Sequence, residues 1–291
     1  MTVALPSHWR RNVGLFLLLM PGLGLIVVFI GTVISMAVAQ SIGFFNFSGQ
    51  GGFSLEFWQR QLTSPILRTS VLYSLKVAVI SAIISIALAY PLALWLRKPF
   101  AGSGLVSALL KAPMMVPGLV AAFLFVNVIA FHGFVNEALI GLGIISRPLR
   151  MQNDRYGIAV IFLQVWKQLP FALLLLTAAV QSIHDDLFNA ARDLGAGAVS
   201  RFRKIVLPLT LKSMQAALII IFIAAAGDYS FQVVAGPTSS SSLAQHMYTV
   251  QREFGQWNEA AVVAIVLMGV ALIGSLFLAA FSQLAVSWGK R

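Results

Sequence analysis

From Val13 to Val38 the chain runs for about 26 residues without a charged side chain, VGLFLLLMPGLGLIVVFIGTVISMAV. As a helix rising about 1.5 Å per residue, such a run exceeds the roughly 30 Å hydrocarbon core of a bilayer. A signal peptide competes for this position, helped by the basic start His8-Trp9-Arg10-Arg11 and by Ala37-Val38-Ala39. Its apolar core, however, spans only about 7–15 residues. The run is therefore read as a first membrane span, with the N-terminus in the cytoplasm. Comparable runs follow at about 71–96, 112–131, 157–183, 211–226 and 260–286. Pro113 and Pro117 predict a broken or kinked start for the third. The expected fold is all-α: an integral membrane protein of six transmembrane helices, residues 1–291 forming one domain.

Composition enters as a check. Hydrophobic residues make up 59% and charged residues 10%, whereas a soluble chain carries about a quarter charged residues. The net charge of +11 would suggest nucleic acid in a soluble domain, but topology explains it here. Arg10, Arg11, Arg97, Lys98, Lys111, Arg192, Arg201, Arg203, Lys204, Lys212, Lys290 and Arg291 fall on one side of the six-span arrangement. Arg60, Arg68, Arg147, Arg150, Arg155 and Arg252 fall on the other, over longer loops. The first side is roughly three times richer per residue, which makes it cytoplasmic and puts both termini there.

Between the fourth and fifth spans, residues 184–210 form a polar, basic insert. Leu187, Ala190, Ala191 and Leu194 recur at helical spacing, with Asp186, Asn189, Arg192 and Asp193 on the other face. Asp185 is placed to cap this helix, and Gly195 to end it in a left-handed conformation. Val199, Phe202, Ile205 and Val206, set against Ser200, Arg201, Arg203 and Lys204, predict a second short helix, closed by Leu207-Pro208. Two small helices meeting at a glycine, with an apolar ridge and a basic flank, suit the groove of another protein.

The pattern Asn189-Ala190-Ala191, Leu194-Gly195-Ala196, Phe202, Ile205, Leu207 and Pro208 resembles the EAA loop of ABC importer permeases. Asn189 stands where that family usually has Glu. Ala89-Tyr90-Pro91-Leu92-Ala93 and Trp166-Lys167-Gln168-Leu169-Pro170-Phe171 are similar to further family stretches. The resemblance implies a type I importer permease in a bacterial inner membrane, its loop a coupling helix docking on an ATP-hydrolysing subunit. It implies two ATP-binding subunits, a second permease chain, different or identical, and a periplasmic solute-binding protein docking on 40–70 and 227–259. The spermidine/putrescine-type branch is the most similar, next to permeases for iron, thiamine and phosphonates, so a polyamine-like amine or organic ion is the expected solute. Docking roles fall on Asp186, Leu187, Asn189, Ala190, Ala191, Leu194, Gly195, Ala196, Arg201, Phe202, Arg203, Ile205 and Pro208. Leu187 and Phe202 would be buried anchors, and Arg201 and Arg203 a charged rim.

The chain has no G-x-x-x-x-G-K-[ST] loop, so ATP and Mg are expected on the partner, and no cofactor on this chain. Without cysteine there is no thiol nucleophile or thiolate metal site. His8, His132, His184 and His246 are scattered, no triad or carboxylate pair is recognisable, and no catalytic or metal residue is assigned. Nucleic acid is not expected as a partner; membrane lipid is.

Polar residues in or beside spans are candidates for the translocation path: Asn127, Gln164, Lys167, Asp228 and Tyr229. Lys167 reads equally as a gate or as an amine reaching carbonyls freed by Pro170 or snorkelling. Asp228 reads as a contact for a cationic solute or as a helix end in water. The alternative function is an ion-gradient-driven secondary transporter, which needs titratable or ion-coordinating groups near mid-membrane. A non-transporting membrane scaffold is the third reading.

Overall fold

Within a bilayer every backbone N–H and C=O must find its partner inside the chain, and the computed structural model of this protein meets that demand with helices. It describes the backbone of residues 7–44 and 51–288. In chain order these hold α1 (Ser7–Ser41), α2 (Glu56–Thr63), α3 (Pro65–Trp95), α4 (Ser103–Lys111), α5 (Gly118–Val128), α6 (Phe134–Gly141) and α7 (Ile158–Gln181). Then come α8 (Asp185–Asp193), α9 (Ala198–Arg201), α10 (Leu207–Ala226), α11 (Ser230–Ala235), α12 (Leu243–Arg252) and α13 (Trp257–Trp288). Lys290-Arg291, part of the loop at 45–50 and the side chains of His8–Arg11 lie outside the described residues.

Among the described residues, five helical stretches are long and apolar enough to cross a membrane: 14–41, 65–95, 158–181, 198–226 and 257–284. A sixth crossing requires the pair 103–115 and 118–128, which bends by 101°. Pro117 sits at that bend with φ −57° and ψ 140°, an extended conformation that ends one helix before the next begins. This third run starts at Ser103, earlier than residue 112 where the sequence places it.

The fifth run differs more. Pro208 was expected to close a separate helix, and the span to begin at 211. Instead helix continues from Ala198 to Ala226. Phe202–Val206 wind as a π-helical turn, in which the Leu207 N–H reaches the Phe202 carbonyl. The wider turn carries the preceding carbonyls away from the proline ring, so Pro208 passes without a break.

α3, α7 and α10 form the centre of the bundle. The packed face of α3 is built from Ser74, Ala78, Ser81, Ala82, Ser85, Ala89 and Ala93, each no more than 1% exposed. Small side chains let helix backbones approach closely where lipid gives no hydrophobic driving force. Leu173, Leu176 and Val180 of α7 and Ile221 and Phe222 of α10 fill the remaining space. Gly274 of α13 permits a second close approach, since a Cβ there would lie 2.3 Å from the Phe222 ring. α5 and α11 join through Ala121, Ala122 and Phe231, packed with Tyr73 and Leu163. α1 leans mainly on α13 and shows its apolar side chains outward, as a lipid-facing helix does.

At the end of the bundle away from α8, the last turn of α1, α2, α12 and the first turn of α13 hold one another. Asn258 donates to the Gln40 carbonyl at 2.6 Å, and the Trp58 indole to Ser41 Oγ at 3.3 Å. Gln61 of α2 donates to Glu259 at 2.7 Å, and Arg60 to the same carboxylate at 3.3 Å. Gln61 Oε1 is thus left to accept from His246 Nε2 of α12, at 3.2 Å. Burial lowers the His246 pKa from its ordinary 6.5, partly opposed by the Glu259 charge.

The folded state therefore holds His246 neutral, and the unfolded chain takes up the proton first. Stability from this contact is full above about pH 6.5 and is lost as pH falls below it. Thermal unfolding of the detergent-solubilised chain should show this acid-side loss, and His246→Gln should remove it. An unchanged pH profile in that variant would show that His246 is not its source.

Candidate functional site

α8 projects from the bundle between α7 and the long helix that continues into α10. Its first turn carries Asp185 and Asp186 and its last turn Arg192, charges that suit the two ends of a helix dipole. The expected Asp185 cap is not formed. His184 holds the capping position, and the Asp185 carboxylate turns aside to accept from Arg97 Nη2 at 2.7 Å and Lys98 Nζ at 3.2 Å.

Arg97 ties three segments together. From the turn after α3 it also donates to the carbonyls of Val180, at 3.4 Å, and Ile183, at 2.7 Å. Its guanidinium lies 3.9 Å from the centre of the Phe188 ring. The end of α7 and the start of α8 are thereby fixed to the end of α3. The hydrogen bond from Lys98, joined by the Arg97 charge, holds the Asp185 carboxyl below its ordinary 3.8. Its charge is complete at neutral pH and is lost only in strong acid. Arg97 had no expected role beyond topology, because its partner Asp185 lies 88 residues away.

α8 ends as its glycine requires. Gly195 adopts φ +75°, with open space around a notional Cβ. Backbone conformation rather than room therefore demands glycine here. The Gly195 N–H bonds the Arg192 carbonyl at 2.8 Å and the Ala196 N–H that of Ala191 at 2.9 Å, closing the helix end.

The two sides of this element differ. Leu187, Leu194 and Val199 are 48%, 88% and 68% exposed, beside exposed Asp186, Asn189, Ala190 and Arg203. Ala191, Ala196, Arg201, Ile205 and Pro208 are half-buried. Phe202, expected as an anchor for a partner, packs edge-on against Tyr90 at 5.2 Å. The Tyr90 hydroxyl shares a 3.0 Å hydrogen bond with Thr210. Phe202 thus supports the element from within, and the ridge left for a partner is Leu187, Leu194 and Val199.

The candidates for the path do not form one cluster. Asn127 donates to Phe123 on its own helix, at 2.8 Å. Gln164 is buried beside Asp228. Asp228 is half-buried rather than in water, and accepts from the Phe231 N–H at 3.0 Å as α11 begins. The Tyr229 and Tyr248 rings meet at 4.8 Å. Lys167 neither snorkels nor serves Pro170: its ammonium donates to the carbonyls of Pro113, Met114 and Val116 in the bent third run. α6, α11 and α12 are short helices in segments where hydropathy predicts outer loops.

Known proteins share this architecture. Residues 85–287 match the family of binding-protein-dependent transport system inner membrane components. The spermidine/putrescine transport system permease protein PotB of Escherichia coli (strain K12) is 28% identical over 225 residues, covering 76% of this chain and 81% of PotB. The thiamine transport system permease protein ThiP of Brucella abortus (strain 2308) is 30% identical over 205 residues, 68% of this chain and 35% of ThiP. In the crystal structure of a bacterial alginate ABC transporter in complex with alginate pentasaccharide-bound periplasmic protein, one chain is similar with TM-score 0.75 and 17% identity. That likeness covers 92% of this chain and 93% of that one.

Removing the clamp should free α8 without unfolding the bundle. Arg97→Met is expected to raise amide hydrogen exchange across 184–194 while leaving exchange in α3 and α10 near the wild-type level. Equal exchange at 184–194 would mean that Arg97 does not hold α8.

Proposed function

The chain belongs to the binding-protein-dependent transport system inner membrane components, and as such a multi-pass ABC importer permease we propose that it passes a small organic cation inward, driven by ATP-binding subunits seated on α8. The observation that carries this reading is the ridge of Leu187, Leu194 and Val199, left uncovered at the end of a well-packed bundle. An exposed apolar patch with a basic rim, here Arg192, Arg203 and Lys204, fits a protein partner. Its surrounding lysines and arginines support a cytoplasmic position for this end, with both termini on the same side in this reading. Two ATPase subunits, holding ATP and Mg, would act on this chain and on a second permease chain, different or identical. A periplasmic solute-binding protein would deliver to the opposite face, around α2 and α12.

Likeness and chemistry both support this solute class. The names of PotB and ThiP give spermidine, putrescine and thiamine, all of them organic cations. Asp228, Gln164 and the Tyr229–Tyr248 pair supply a carboxylate, an amide and aromatic faces suited to a cationic nitrogen.

Leu194→Asp tests the proposal. In proteoliposomes holding the assembled transporter, MgATP-dependent uptake of labelled putrescine should be lost. Affinity for the ATPase should fall about 30-fold, as for a central interface residue worth about 2 kcal/mol. Uptake that persists without the ATPase and follows an ion gradient would instead establish a secondary transporter.

A further inference from the structure

The bend in the third run contains a matched set of donors and acceptors. Pro117 has no N–H, so no helical bond can reach the Pro113 carbonyl from that residue. The chain turns by 101° immediately afterwards. The carbonyls of Pro113, Met114 and Val116 converge on Lys167 Nζ, the first two at 3.0 and 3.1 Å. An ammonium has three protons to donate, and three carbonyls receive them. The cation also meets the negative end of the first half-helix.

Lys167 belongs to α7, about 15 Å from its outer start at helical rise and in the same helix that leads into α8. An apolar cavity of about 290 Å³ lies between α5 and α7, lined by Val116, Phe125, Phe162 and Trp166 among others. The Phe125 and Phe162 rings stack across this interface at 5.0 Å. The bend therefore has a proline to turn on, space to move into and one charged strut holding it to α7.

We propose that Lys167 is the positioning residue through which displacement of α8 and α7 is delivered to the bend of the third run, making the bend the moving part of the path. The inference rests on the importer reading, which supplies the force at α8. Stripped of its strut, the bend would keep its proline geometry and its apolar contacts, such as Phe125 on Phe162, but lose its charged link to α7. ATP hydrolysis would then continue without moving it.

The absence of native cysteine allows paired spin labels in the whole transporter. One pair, Leu105→Cys with Val120→Cys, spans the bend; the other, Asp193→Cys with Leu18→Cys, reports the clamped α8 unit against α1. With MgATP and vanadate on the assembled complex, both pairs should change distance in the wild-type background. Lys167→Met should abolish the change at the bend, preserve that at α8 and cut uptake per ATP hydrolysed at least about tenfold, as the loss of charge-assisted hydrogen bonds implies. Lys167→Arg, which keeps charge and donors, should restore part of both. A bend that responds equally in Lys167→Met overturns the inference while leaving the importer reading intact. If neither pair responds in the wild type, the importer reading fails first.

Discussion

A single guanidinium determines whether α8 is a lever or a loose loop. Arg97 satisfies carbonyls at the end of α7, pairs with Asp185 at the start of α8 and stacks on Phe188 one turn later. A helix of nine residues has little stability of its own in water, so α8 depends on this attachment for its orientation. Asp185 is half exposed, and a pair so placed contributes little as an isolated salt bridge. Its value here is geometric: one planar group with several fixed donors holds three chain segments in one arrangement.

What the clamp holds is connected rigidly to the membrane. The seam of serine and alanine on α3 brings α7 and α10 close, and α10 continues without interruption into the second half of the α8 element. Force applied at Leu194 therefore enters two spans at once, through α7 on one side and α10 on the other. A coupling device requires this property, because a partner shifts the membrane conformation only by its difference in contact free energy between two states. A flexible tether would dissipate that difference.

The six apolar runs, the glycine that ends α8 and the apolar spacing of Leu187, Ala190 and Leu194 were legible because each is a local pattern. The seam of serine and alanine on α3 was not among them, because hydropathy marks the span and passes over its small residues. Other features depend on residues far apart in sequence. The partners of Arg97 and Lys167 lie more than fifty residues away, and no periodicity announces such pairs. Pro208 misled because proline disfavours helix at the preceding residue, and a π turn offers a way round that rule. Phe202 misled because spacing identifies an apolar face but not whether this chain or another covers it.

The account depends on α8 standing in the cytoplasm with Leu194 under an ATPase. The most direct measurement is labelling of Leu194→Cys in the otherwise cysteine-free chain with a membrane-impermeant maleimide. In inverted vesicles the label is expected to react when the ATPase has been stripped and to be blocked when it is restored. Reaction from the periplasmic side of intact spheroplasts, or equal reaction with and without the ATPase, would contradict the account.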